Sequence, residues 1–128
     1  MKRKKPLVLI IEDDYMMAEL HRDALKLIDI DSDIAKDGSA GYAMIQALQP
    51  DLIILDLMLP EIGGIEILES LQVDPVLKNI PVMVISVKRD RKTIGQCYTL
   101  GADSYFSKNE YQLELFLAEV EAILRSNK

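Results

Sequence analysis

The stretch Asp51-Leu52-Ile53-Ile54-Leu55-Asp56-Leu57-Met58-Leu59-Pro60 decides the fold of this chain. Its apolar run, Leu52–Leu55, is bounded by Pro50 ahead and Pro60 behind. A short run so rich in Ile and Leu reads as a strand buried on both faces of a parallel sheet. Asp56 then falls where that strand ends, and the carboxyl ends of strands are where open α/β sheets bind ligands. Taken alone, Asp56 fits equally well as a loop or helix cap, because aspartate is a common turn residue. The other strand ends discriminate.

Working outward, strand-like and helix-like patterns alternate in both directions. Upstream, the apolar strand Leu7–Ile11 stops at Glu12-Asp13-Asp14. Met17, Leu20, Ala24, Leu27 and Ile28 then recur at helical spacing, predicting a helix over residues 15–28 with Asp13 or Asp14 as its cap. The lone His21 is expected on the wet side of that helix. A weak strand over residues 32–35 precedes the turn signal Asp37-Gly38 and a second helix through Tyr42, Ile45 and Leu48. Downstream, Gly63-Gly64 opens a third helix carrying Ile65, Leu68 and Leu71, broken by Asp74-Pro75. Residues 81–85 form a fourth strand ending at Ser86. A fourth helix over 90–100 is weakened by Gly95, at about 1 kcal/mol against alanine, and Gly101 is its expected stop. A fifth strand, Ser104–Ser107, ends at Lys108. Leu113, Phe116, Leu117, Val120 and Ile123 mark a last amphipathic helix.

Five strands alternating with five helices imply a doubly wound α/β fold, a five-stranded parallel sheet covered on both faces. Right-handed crossovers bring every strand's carboxyl end to one edge. That edge collects Glu12-Asp13-Asp14, Asp56, Ser86 and Lys108. Carboxylates sharing a cleft repel one another unless a cation or a raised pKa relieves them. An all-oxygen cluster favours a hard ion such as Mg²⁺. Lys108 offers a positive charge to an anionic oxygen and Ser86 a hydroxyl. A carboxylate nucleophile, Mg²⁺, an ammonium and a hydroxyl are what phosphoryl transfer to an aspartate requires. Neither a GxxxxGK[ST] nor a GxGxxG loop occurs, so nucleotide binding has no support.

Composition narrows the class further. The 128 residues make one domain, 49% hydrophobic and 28% charged, as a folded globular chain should be. A net charge of -6 argues against nucleic-acid binding by this chain. No apolar run reaches the length of a membrane span. The basic start, Lys2-Arg3-Lys4-Lys5, lacks the cleavage site of a signal peptide. The single Cys97 precludes an internal disulfide, and with one histidine there is no Cys/His zinc site. A cytoplasmic location is expected.

In these markers the chain resembles the receiver domain of two-component response regulators, with the flavodoxin-like (βα)5 fold. The resemblance covers residues 5–124, leaving a basic tail over 1–4 and a C-terminal tail over 125–128. It rests on an acidic pair after the first strand, Asp56 after the third with a proline four residues on, Ser86 after the fourth and Lys108 after the fifth. It implies that Asp56 takes a phosphoryl group from the phosphohistidine of a histidine kinase or phosphotransfer protein. It implies that Glu12, Asp13 and Asp56, with the Met58 backbone carbonyl, hold Mg²⁺, and that Lys108 pairs with the phosphoryl oxygens. Ser86 and Tyr105 are then the switch, read by a downstream protein partner on the face of helix four, strand five and helix five. A homodimer through helices four and five is one such readout. The only chemistry implied is the chain's own phosphorylation and dephosphorylation.

Three departures from the family pattern stand out. Asn109 follows Lys108 where proline is usual, so a trans loop with Lys108 aimed differently is expected. Val87 follows Ser86 where Ala or Gly is more common and should narrow access to Asp56. Gly63 stands where Asp is frequent, leaving a looser loop. Two other readings compete. One is a receiver-type interaction module that works without phosphate. The other is an aspartyl-phosphate phosphatase, but Asp56-Leu57-Met58 lacks the second carboxylate that would serve as general acid.

Overall fold

The computed structural model describes residues 5–126. Five strands, β1 (Leu7–Ile11), β2 (Asp31–Ala35), β3 (Leu52–Leu55), β4 (Val82–Ser86) and β5 (Ser104–Ser107), alternate with five helices. The helices are α1 (Tyr15–Lys26), α2 (Gly38–Leu48), α3 (Gly64–Gln72), α4 (Arg91–Thr99) and α5 (Leu113–Ser126). All strand pairings are parallel, in the order β2-β1-β3-β4-β5. The order reverses between β1 and β3, and a crevice opens there at the carboxyl ends. The basic segment 1–4 lies outside the described residues, and α5 continues to Ser126, past the boundary expected at Leu124.

The alternation of the three central strands explains why β1, β3 and β4 are apolar almost from end to end, whereas the edge strands β2 and β5 carry polar residues. Leu9, Ile11, Ile53, Leu55 and Val84 pack on one side with Ile45 of α2 and Ile67, Leu68 and Leu71 of α3. Val8, Ile10, Leu52, Ile54, Met83 and Ile85 pack on the other with Ala18 and Leu25 of α1 and Phe116, Val120 and Ile123 of α5. Successive side chains of each central strand thus enter different layers, and every residue of β3 is buried.

The buried stripe of α1 differs from the expected one. Ala18, His21, Ala24 and Leu25 face inward, whereas Leu20 and Leu27 are exposed. His21, expected in solvent, is only 1% exposed. It lies three residues after one buried alanine and three before another, so helical geometry carries it into the core. An uncharged imidazole has enough apolar surface to pack there. Asp14 is the α1 cap, its carboxylate accepting from the Met16 and Met17 N–H groups. Asp90 caps α4 through the Thr93 N–H and hydroxyl. Gly101, at φ +98°, ends that helix in a conformation that favours glycine.

Candidate functional site

Two backbone hydrogen bonds set the crevice walls. The ladder continues one residue past β1, where the Glu12 N–H donates to the Ala35 carbonyl at 3.0 Å. It also continues past β3, where the Asp56 N–H donates to the Ile11 carbonyl at 3.0 Å. Glu12 and Asp56 are therefore placed by the sheet itself. Both are almost fully buried, while Asp13 is exposed. One carboxylate oxygen from each of Glu12, Asp13 and Asp56 lies within 4.8 Å of the others.

Lys108 enters from the far side of the crevice. Its Nζ stands 2.8 Å from Glu12 Oε1 and 3.3 Å from Asp56 Oδ2. No cis peptide bond occurs among the described residues. The lysine nevertheless reaches Asp56, so the expectation that it would be aimed elsewhere is not met. Asp56 Oδ1 accepts from the Met58 N–H at 3.1 Å, and the Met58 side chain points out to solvent. Burial and the neighbouring Asp56 push the Glu12 carboxyl up to about 7, although Lys108 and the Asp14 N–H pull the other way. Burial alone would lower Lys108, but its contact with Glu12 and the charge of Asp56 outweigh this and leave it raised.

Gly64 gives this wall its shape. A Cβ there would stand 2.6 Å from Leu57 Cα and 2.8 Å from the Asp56 carbonyl oxygen. Helix α3 therefore begins directly against the backbone that carries Asp56. The preceding Gly63, read from sequence as a looser spot, is the α3 cap residue, its N–H donating to Glu66 Oε1 at 3.4 Å.

Ser86 is fully buried at the end of β4, its hydroxyl accepting from the Lys88 N–H at 3.3 Å. The Tyr105 hydroxyl donates to the Lys88 carbonyl at 2.7 Å. Both residues expected to switch thus hold the same turn of the β4–α4 loop. Val87, between Ser86 and Lys88, is half exposed. Arg89 of this loop reaches Glu110, at 3.7 Å, in the 3-10 turn Lys108–Glu110.

The crevice brings Glu12, Asp13, Asp56 and Lys108 together at one edge of the sheet, with Ser86 at the end of the neighbouring strand β4 and Asp14 turned to capping α1. Residues 8–120 match the response regulator receiver domain family. The chain belongs to that family. It is 38% identical to the DNA-binding dual master transcriptional regulator RpaA of a Synechocystis strain over 120 residues, covering 94% of this chain and 49% of that protein. It is 33% identical to the DNA-binding response regulator MtrA of Mycolicibacterium smegmatis, covering 94% of this chain and 51% of that one. This receiver domain thus spans about half the length of those curated relatives. Among solved structures, the receiver domain of the Francisella response regulator 1452 superposes with a TM-score of 0.90 at 25% identity, covering 97% of this chain and 100% of that one. Among its described residues the receiver has no helix long and apolar enough to cross a membrane.

Sequence reasoning missed one group beside the site. His21, Tyr111 and Phe116 form an aromatic stack next to the turn that carries Lys108, which Tyr111 directly follows, with ring centroids 5.3 to 5.8 Å apart. The available signal was the position of His21 on the Ala18–Ala24 stripe, together with an aromatic ring three residues after Lys108.

Proposed function

We propose that this receiver is a phosphorylation-controlled switch whose acceptor is Asp56. The observation that carries the reading is the placement of Lys108 Nζ against the buried Asp56 carboxylate, inside an all-oxygen cluster with Glu12 and Asp13. The donor set fits Mg²⁺: hard oxygens only, two of the residues buried and one open to solvent, so that bound water can complete the coordination. Glu12, Asp13 and Asp56 would hold the ion, with the Met58 carbonyl as a further oxygen. The ion would supply charge neutralisation at the transferring phosphoryl group.

The chain's own groups divide the remaining work. A carboxylate oxygen of Asp56 attacks phosphorus, forming the new O–P bond as the donor's bond to phosphorus breaks. Lys108 stands ready for a phosphoryl oxygen, and the Ser86 hydroxyl can turn from the Lys88 N–H to a second one. That turn would release the loop that Tyr105 also holds. Phosphorylation replaces one negative charge by about two and adds acceptor oxygens, enough to rebalance two loop arrangements. The readout is then the face of α4, β5 and α5, by a downstream protein or a second copy. A histidine kinase or phosphotransfer protein is the donor, in the cytoplasm. The chemistry is confined to the domain's own phosphorylation and dephosphorylation.

Intact-mass spectrometry with acetyl phosphate and Mg²⁺ tests the reading. One phosphate adduct, lost on chelation and in Asp56→Asn, is the expected result. An adduct that persists in Asp56→Asn would overturn the assignment, and no adduct at all would favour an interaction module that works without phosphate.

A further inference from the structure

His21 is an unusual core residue. Neither ring nitrogen has a hydrogen-bond partner among the described residues, and the same holds for the Tyr111 hydroxyl beside it. Unpaired buried polar atoms cost stability, and each calls for an explanation. Their location supplies one. His21 belongs to α1, Phe116 to α5, and Tyr111 directly follows the 3-10 turn Lys108–Glu110. The His21 and Phe116 rings stack at 5.3 Å and 28°, and Tyr111 tilts against both, at 5.8 Å and 5.4 Å. Three parts of the chain thus meet at one aromatic contact, and the shortest of them, a single 3-10 turn, is the one that carries Lys108.

That turn has few other anchors. Beyond the ion pairs of Lys108 itself with Glu12 and Asp56, its ties among the described residues are the Ser107 hydroxyl, which accepts from the Asn109 N–H at 3.3 Å, and the exposed Arg89–Glu110 pair. Exposed ion pairs contribute little. Lys108 itself must hold two carboxylates now and a phosphoryl oxygen later, which requires a fixed base for a long, flexible stem. The His21 ring is near enough to feel the charges of Lys108 and Asp56.

We propose that His21 and Tyr111 are positioning residues for phosphoryl transfer, clamping the Lys108 turn against Phe116 so that the ammonium stays aimed at Asp56. They touch neither donor nor phosphoryl group and act through Lys108. The clamp works through ring packing, which is why unpaired polar atoms are tolerated in it. The proposal rests on Asp56 being the acceptor.

The test pairs two readouts on His21→Ala and Tyr111→Ala: the rate of labelling by acetyl phosphate at saturating Mg²⁺, and Mg²⁺ affinity by calorimetry. A loosened Lys108 slows labelling, by roughly tenfold or more given how steeply such chemistry depends on placement. It also competes less for Glu12 and Asp56, so Mg²⁺ should bind at least about threefold more tightly. Slower chemistry with tighter metal is a signature that general destabilisation does not produce. In a Lys108→Ala background, adding His21→Ala should leave Mg²⁺ affinity unchanged, because the two residues act in series. His21→Leu and Tyr111→Phe keep the packing, and both should label within about twofold of the parent.

Should His21→Ala fail to fold, Tyr111→Ala, at the edge of the stack, carries the same two readouts. Parental labelling and metal affinity in the folded alanine variants would overturn the proposal. So would a loss in His21→Leu equal to that in His21→Ala, which would place the effect in the imidazole itself. A parent protein that takes no phosphate fails the Asp56 reading instead, and Asp56→Asn identifies that outcome separately.

Discussion

Lys108 is bonded more closely to Glu12 than to Asp56, at 2.8 Å against 3.3 Å, so in the resting protein the ammonium is shared and leans away from the acceptor. It neutralises a crevice that would otherwise hold two buried carboxylates facing each other. Lys108→Ala should therefore destabilise the metal-free protein, by about 3 kcal/mol at pH 8 and by less at pH 6, where Glu12 can take up a proton instead. Adding Mg²⁺ should raise the melting temperature of the variant more than that of the parent. Thermal melts at both pH values, with and without the ion, check this.

Metal binding should expel a proton. Burial and Asp56 raise the Glu12 carboxyl to about 7, whereas a ligand oxygen must be ionised. At pH 6, Mg²⁺ should displace close to one proton per ion, and apparent affinity should fall about tenfold for each pH unit below 7. Calorimetry in buffers of different ionisation enthalpy measures the proton count. Equal heats across buffers at pH 6 would contradict it.

His21 and Glu12 give opposite slopes to stability against pH. Burial first, and then the Lys108 charge, lower His21 to about 4 from the ordinary 6.5, with Asp56 opposing and uncharged Tyr111 alongside. Its folded form resists a proton that the unfolded chain accepts, so stability is lost as pH falls from 6.5 towards 4. Glu12 does the reverse: its contribution is present below 4.5 and is lost as pH rises towards 7. In the parent the two largely offset. His21→Leu removes one of them, and its stability relative to the parent should grow by about 2 kcal/mol between pH 7 and pH 5. Urea titrations at these two values provide the measurement.

Gly64→Ala should damage fold and site together. Its new methyl would meet Leu57 Cα and the Asp56 carbonyl, backbone atoms that cannot swing aside. A loss of about 1–3 kcal/mol is expected, with slower labelling of Asp56. Gly95→Ala is the control. Nothing lies within 4 Å of the added methyl, and a helical glycine replaced by alanine should gain up to about 1 kcal/mol.

Access is the subject of the last prediction. Val87 is half exposed beside the buried Ser86, and Val87→Ala should speed labelling by small donors without changing Mg²⁺ affinity. Unchanged labelling rates would show that the valine does not narrow the approach.

How much of this was legible follows from what each residue depends on. The strands declared themselves because both their faces are buried, which leaves unbroken apolar runs such as Leu52–Leu55. Glu12, Asp56 and Ser86 could be placed because each sits at the end of such a run, and Lys108 because it closes the last of the five strands. His21 could not, since an imidazole in a helix reads as polar until the packing around it is known. Leu20 and Leu27 misled for the converse reason: apolar side chains on α1 do not mark its inner stripe when smaller residues, Ala18 and Ala24, fill that role. Tyr111 lay beyond reach because its partners come from α1 and α5, at opposite ends of the chain.

The strict alternation of β3 between two layers has a consequence for how this domain can change. Exchanging one aliphatic side chain for another leaves the thread in step, whereas inserting or deleting a single residue between Leu52 and Asp56 turns every later side chain to the opposite wall. Asp56 would then swing out of its crevice. Side-chain shape in β3 can therefore vary, but the number of residues from Leu52 to Asp56 cannot without moving the acceptor.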